Sequence, residues 1–317
     1  MLDVIVFIAS VGPIVNKGSL LETIYSISKN IGECNYKFYI VIDNEGMKKF
    51  TEQIFDNEKL RHIIKEDSLL EIVYTKGPWA TDYNDFFKAY KNTTEYILVS
   101  HDDLTINTPN FFRKTLKEIE GKEDEVSWIT YTNDHYYKRT SGIMPNSIIT
   151  GFHTDAGNYP LVFECHNFKE GEYLTEDNED LLDYPDRAVK CHGIFIIPGL
   201  ISVKSMEKIG PCANFGPYTM LINEDWSLES LKNNLFSIWV PDIFITHPNP
   251  KYPRNTDFDL RFEAESHRLF YEKWGFFAHK DYVKPEKREQ ILEKYKDTSI
   301  PWSASRKTYE WDYLKDE

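Results

Sequence analysis

Short apolar runs rich in strand-forming residues alternate with stretches of helical spacing along the first third of the chain. Val4–Ala9 reads as a buried strand. Ser19-Leu20-Leu21-Glu22 is a capping box, in which the hydroxyl and the carboxylate satisfy orphan amides at a helix start. Leu20, Ile24, Ile27 and Ile31 follow at helical spacing, with Gly32 as the stop. Residues 38–42 predict a second strand ending at Asp43, 47–55 a helix, and Leu70–Tyr74 a third strand. Thr81 is placed to cap a helix carrying Tyr83, Phe86, Phe87 and Tyr90, and Tyr96–Ser100 is the fourth strand. Thr108-Pro109 opens another helix, with proline at its first position and Gly121 as the stop. This alternation predicts the α/β class: a Rossmann-like, mostly parallel central sheet flanked by helices, with right-handed crossovers.

The pattern then breaks. Residues 133–190 are polar, aromatic and acidic without clear periodicity, and read as a solvated irregular insertion. Order resumes with a strand over 193–198, a helix at Val203–Ile209 stopped by Gly210, and a helix from about Asn223. Phe236–Val240 and Ile243–His247 read as strands, 263–274 as a helix, and a charged helix follows Pro285. The expected division is one domain over 1–280, with halves at 1–132 and 133–280, and a polar helical extension over 281–317.

Composition narrows the function. The formal charge of −14 and pI near 5.2 argue against nucleic acid as a partner. No run reaches transmembrane length, and the apolar start lacks a basic leader, so the expected location is the cytoplasm, with peripheral membrane association still open. Cys34, Cys165, Cys191 and Cys212 show no C-x-x-C spacing, which suggests reduced thiols rather than a disulfide framework. Absent too are G-x-G-x-x-G after a strand, a Walker loop, G-x-S-x-G and H-E-x-x-H, which removes most dehydrogenases, many ATPases, α/β-hydrolases and zincins.

The chemistry sits at strand ends. Ser100-His101-Asp102-Asp103 closes an apolar strand with two adjacent carboxylates, which repel unless a cation or hydrogen bonds offset the charge. A divalent metal holding a diphosphate is the economical explanation, a strand-end turn the plain one. Asp43 ends the second strand, Glu224-Asp225 begins a late helix, and His247 follows a late strand. Strand ends of a parallel sheet gather on one edge, so these positions can meet there.

In this order the motifs resemble those of the family 2 glycosyltransferases of the GT-A fold. The similarity rests on the strand Val4–Ala9, Asp43, the segment from Gly77 to Asn84, the D-x-D-like Asp102-Asp103, the Ile209-Gly210 turn, the Glu224-Asp225 pair, His247, and Phe270-Tyr271-Glu272-Lys273-Trp274-Gly275. Two positions depart from the pattern: Ser10-Val11-Gly12-Pro13 replaces the usual Ser-Tyr-Asn, and His101 stands where an acid is common.

The resemblance implies a metal-dependent inverting transfer of a sugar from a nucleotide-sugar donor to a hydroxyl of a glycan, lipid-linked or protein acceptor. Mn²⁺ or Mg²⁺ is then the cofactor, held by Asp103 and His247, with Asp102 between metal and ribose. Ser10, Asp43, Lys76, Asn84, Asp102 and Arg254 are the expected donor-side residues, Arg254 from a proline-rich loop it shares with Lys251. Trp79 and Trp226 are candidates to stack on the acceptor side. Glu224 falls in register with Leu228, Leu231 and Leu235, an expected buried stripe, and Asp225 lies off it. Asp225 is therefore the expected base and Glu224 a positioning group; alternatively, both simply favour the helix dipole. A sugar nucleotidyltransferase and a non-catalytic sugar-binding protein are the competing readings. Donor sugar, nucleotide base, acceptor and oligomeric state are not legible.

Overall fold

The computed structural model describes residues 1–10, 19–43, 47–48, 50, 52–53, 69–75, 77–133, 153–154, 157–158, 189–191, 198–216, 221–246, 266, 268–270 and 272–274. Its centre is a mixed sheet of nine strands in the order β3-β2-β1-β4-β10-β6-β11-β5, with β9 also on β11. The strands are β1 Leu2–Ser10, β2 Tyr36–Ile42, β3 Leu70–Tyr74, β4 Thr94–Ser100, β5 Thr105–Ile106, β6 Val126–Asn133, β9 Val189–Cys191, β10 Gly199–Ser202 and β11 Phe236–Thr246; β7 His153–Thr154 and β8 Gly157–Asn158 form a separate pair. The helices are α1 Ser19–Asn30, α2 Trp79–Tyr90, α3 Phe111–Ile119, α4 Val203–Ile209 and α5 Ile222–Lys232.

The expected α/β architecture is found. β1, β2, β3 and β4 run parallel. β10 is antiparallel to both β4 and β6, and β11 is parallel to β6. Reversal at β10 therefore restores the direction, so β4, β6 and β11 all end on the same edge as β1. Successive residues of β1 feed opposite faces, as the pleat requires. Ile5 and Phe7 pack with α2, α4 and α5, whereas Val4, Val6 and Ile8 pack with α1 and α3. Burial on both faces explains the unbroken apolar run in β1.

Several elements differ from their expectations. β6 occupies 126–133, just ahead of the irregular stretch, where the sequence predicts no strand, and β10 follows Pro198; the strand expected over 193–198 lies outside the described residues except for Pro198 itself. β11 is one strand with a register shift between Val240 and Phe244, where the sequence predicts two. Pro109 does not open α3: Asn110 is its N-cap, in the left-handed region at φ 57°. Thr108 instead turns its hydroxyl to β11, accepting from the Phe244 amide at 2.8 Å. The charged helix expected after Pro285 and the extension over 281–317 lie outside the described residues. Among the described residues no helix is long and apolar enough to cross a membrane.

Candidate active site

Strand direction assembles the site. In the β1–β4 register Ile8 faces Ser100, so continuing two residues brings Ser10 level with Asp102. Ser10 Oγ donates to Asp102 Oδ2 at 2.6 Å, and both residues are buried. On the other side of β1, Ser10 pairs with Ile42, one residue before Asp43. Three expected donor-side positions thus share one sheet edge. Asp103, half-buried, follows in the same turn. Thr246, the residue before His247, pairs with Thr105, two residues past Asp103.

The Ser10 bond is charge-assisted and removed from water, which makes it one of the stronger kind. Ser10→Ala is expected to cost about 1.5–3 kcal/mol of stability. The measurement is a urea midpoint at constant slope; an unmoved midpoint would show that Asp102 does not lean on Ser10.

Helix direction adds a second acidic point. The short turn at 233–235 sends α5 into β11, so the helix runs against the strand and its N-terminal end is directed toward the side of the sheet that carries this edge. Leu221 enters α5 with φ 63°, a conformation that bulky side chains rarely adopt, and its carbonyl accepts from the Asp225 amide at 2.9 Å. Glu224 and Asp225 are both buried, 4% and 1% exposed. This corrects the expectation that only Glu224 lies on a covered face. Asp225 Oδ1 accepts from Lys273 Nζ at 2.6 Å and from Trp274 Nε1 at 2.7 Å. Lys273 also pairs with Glu229 at 3.0 Å. Burial pushes the Asp225 carboxyl above its ordinary range, against the opposing pull of Lys273 and Trp274. Burial pulls Lys273 down, but its bonds to Asp225 and Glu229 outweigh that and leave it raised. The Cys212 thiol nearby is raised by its own burial.

Two expected site residues have other work. Trp226 is fully buried: its ring stacks on Trp128 at 4.6 Å and meets Tyr83 at 5.1 Å. It belongs to the core and offers no open face for an acceptor. Asn84 spends its amide on the backbone of Cys212, donating to the carbonyl at 2.9 Å and accepting from the amide at 2.8 Å. That reciprocal pair ties α2 to the segment after α4 rather than facing a donor. Trp79 is half-buried and lies parallel to Tyr83 at 5.1 Å. Lys76, His247, Lys251 and Arg254 lie outside the described residues. Lys273 and Trp274, quoted in the sequence only as part of a motif, are the partners that sequence reasoning did not give to Asp225.

The metal question turns on donor chemistry. Among the described residues no group of three or more His, Cys, Asp or Glu converges on one point. Asp102 and Asp103 nevertheless supply hard oxygen donors in one turn, and Mg²⁺-like ions bind through one or two carboxylates completed by substrate phosphates and water. The pair fits such an ion, with the substrate as the remaining ligand source.

No family model matches the chain, and no curated protein does. Among solved structures it is similar to a crystal structure of GalNAc-T7 with UDP, GalNAc and Mn²⁺, at 12% identity and a TM-score of 0.50. The match covers 99% of this chain and 58% of that one, so the chain spans less than two thirds of its neighbour. At that identity the likeness is one of fold: the central sheet and its helices form the GT-A α/β arrangement.

Proposed function

We propose that the chain is a metal-dependent glycosyltransferase of the inverting, family 2-like type. It would move a hexose from a nucleotide-diphosphate donor to an acceptor hydroxyl, in the cytoplasm. The observation that carries this reading is Asp225: an enclosed carboxyl of raised pKa, held on one oxygen near the end of α5 that is directed toward the Ser10–Asp102 edge.

The residues divide the work by position. Ser10 holds Asp102 for the ribose and metal side, and Asp43 faces the nucleoside. Asp103, with Asp102 and His247, holds the cation, while Lys76 and Arg254 serve the diphosphate. Bound there, Mn²⁺ or Mg²⁺ supplies Lewis-acid stabilisation for the charge gathering on the departing diphosphate. Asp225 takes the acceptor hydroxyl proton as the acceptor oxygen bonds to the anomeric carbon. The bond from that carbon to the diphosphate breaks, and its electron pair leaves with the diphosphate. Attack opposite the leaving group inverts the anomeric centre. Glu224 supports the helix start, and Trp79 borders the acceptor side. The reading requires the acceptor to open a path to Asp225 Oδ2.

A thermal-shift screen against nucleoside diphosphates and their sugars, with and without Mn²⁺, tests the reading, UDP-sugars first because the fold neighbour was solved with UDP. Ligand at a hundredfold over Kd adds about 2.7 kcal/mol, or roughly 4–5 °C in a domain of this size. Asp103→Asn is expected to abolish the Mn²⁺-dependent part of that increment. If no nucleotide shifts the melt in either condition, the reading fails. Release of a nucleoside diphosphate, rather than inorganic diphosphate, separates transfer from nucleotidyl chemistry.

A further inference from the structure

Asp225 has two carboxylate oxygens in unequal surroundings. Oδ1 receives both the Lys273 ammonium and the Trp274 indole N–H, and among the described residues no donor reaches Oδ2. Both donors come from residues 272–274, which are distant in sequence and lie along α5. Asp225, Glu229 and Lys232, spaced i, i+4, i+7, form the helix face that receives it. Lys273 bonds the first two, and Lys232 Nζ stands 5.7 Å from the centre of the Trp274 ring. Ser266 and Phe270 anchor the segment at full burial, with Phe270 against Phe215 at 5.5 Å.

We propose that Lys273 and Trp274 are positioning residues for Asp225, fixing Oδ1 so that Oδ2 is the oxygen presented to the acceptor hydroxyl. This rests on the transferase reading above. Two donors converging on one oxygen set the rotation of the carboxylate, which a single donor leaves free to swing. The indole N–H cannot be lost at working pH, so Trp274 orients without exchanging protons. Lys273 adds charge: its ammonium pulls the Asp225 carboxyl down against the larger upward push of burial. Glu229 opposes this by drawing on the same ammonium, and among the described residues Glu224, its chain neighbour, and the neutral Cys212 thiol are the other titratable groups beside Asp225. Docking of the 266–274 segment and readiness of the base are then one event.

The test titrates Asp225 directly by ¹³C-carboxyl NMR, with Asp225→Asn assigning the resonance. Lys273→Met is expected to raise the Asp225 titration by about 1–3 pH units, since an adjacent cation holds a carboxyl down by that much. Lys273→Arg is expected to restore it. Trp274→Phe keeps the ring packing, removes one donor and raises the titration by less. Sugar transfer by Lys273→Met is expected to lose on the order of 10²-fold in kcat, the cost of a misplaced reacting group, with donor KM little changed. The acid limb of its kcat/KM profile should move to higher pH with the carboxyl titration. An Asp225 titration and an acid limb unmoved in both Lys273→Met and Trp274→Phe overturn the proposal. Should Lys273→Met fail to fold, Lys273→Gln, which also removes the charge, takes its place beside Trp274→Phe. A titration that moves as expected while the wild-type chain transfers no sugar supports the Lys273 control of Asp225 and sinks only the transferase reading.

Discussion

Asp225→Asn is expected to lower sugar transfer by about 10²–10⁴-fold, the usual contribution of a positioned general base, with nucleotide binding at wild-type strength. The substitution is well matched to its surroundings. Asparagine keeps a carbonyl oxygen for Trp274 Nε1, and Lys273 retains Glu229 at 3.0 Å, so the segment stays docked. What is lost is the ability to accept a proton. Glu224 is no substitute, because adjacent helical side chains diverge by about 100°. Isothermal titration with nucleoside diphosphate and Mn²⁺, beside a transfer assay, separates the two effects. Turnover near the wild-type rate would remove Asp225 as the base. A parallel fall in nucleotide affinity would instead place it on the donor side.

Trp226→Ala is expected to cost about 3–5 kcal/mol of stability, the range for truncating a large buried aromatic. The ring joins three elements: it stacks on Trp128 of β6 at an interplanar angle of 23°, and meets Tyr83 and Trp79 of α2 edge-on at 5.1 and 5.9 Å. Neighbours that are themselves rigid rings cannot flow into the space left behind, so the cavity term is large. Among the described residues Trp226 Nε1 has no hydrogen-bond partner, so Trp226→Phe gives up none of the bonds seen there and keeps most of the packing. It should therefore cost far less. Urea unfolding of the two variants decides the matter. A sugar-stacking role would show the opposite pattern: near-normal stability in the alanine variant and weakened acceptor binding.

What the sequence revealed depended on whether burial leaves a trace in residue type. β1, β2 and β4 are buried runs of Val, Ile, Leu, Phe and Tyr, and their ends predict the edge where Ser10 and Asp102 meet. β6 hid because it carries Ser127 and Thr130, which are fully buried yet polar. Ser127 is satisfied by the Phe236 carbonyl at 3.1 Å and shares a 3.2 Å contact with Ser237, a partnership more than a hundred positions away. Phe236–Val240 and Ile243–His247 read as two strands, but β11 runs through as one with a register shift between Val240 and Phe244. The helix at Glu224-Asp225 misled for a different reason. Helical spacing reports one stripe, and the opposite face was expected to be open. Here a segment 48 residues further on covers it. No local pattern encodes such a partner, although Asp225, Glu229 and Lys232 do share the face that Lys273 and Trp274 occupy.

The reversed seat of β10 between β4 and β6 governs the order in which the protein can be built on the ribosome. β1 to β4 are complete once Ser100 has emerged, but the outer edge of β4 waits for Gly199–Ser202. At roughly 5–20 residues per second, about 100 residues of synthesis leave that edge bare for several seconds. β6 emerges meanwhile with its own edge unfilled, and an unfilled edge is a template for pairing with other chains. Slower initiation or added holdase chaperones should therefore raise the soluble yield, whereas more frequent initiation, which crowds unfinished chains together, should favour inclusion bodies.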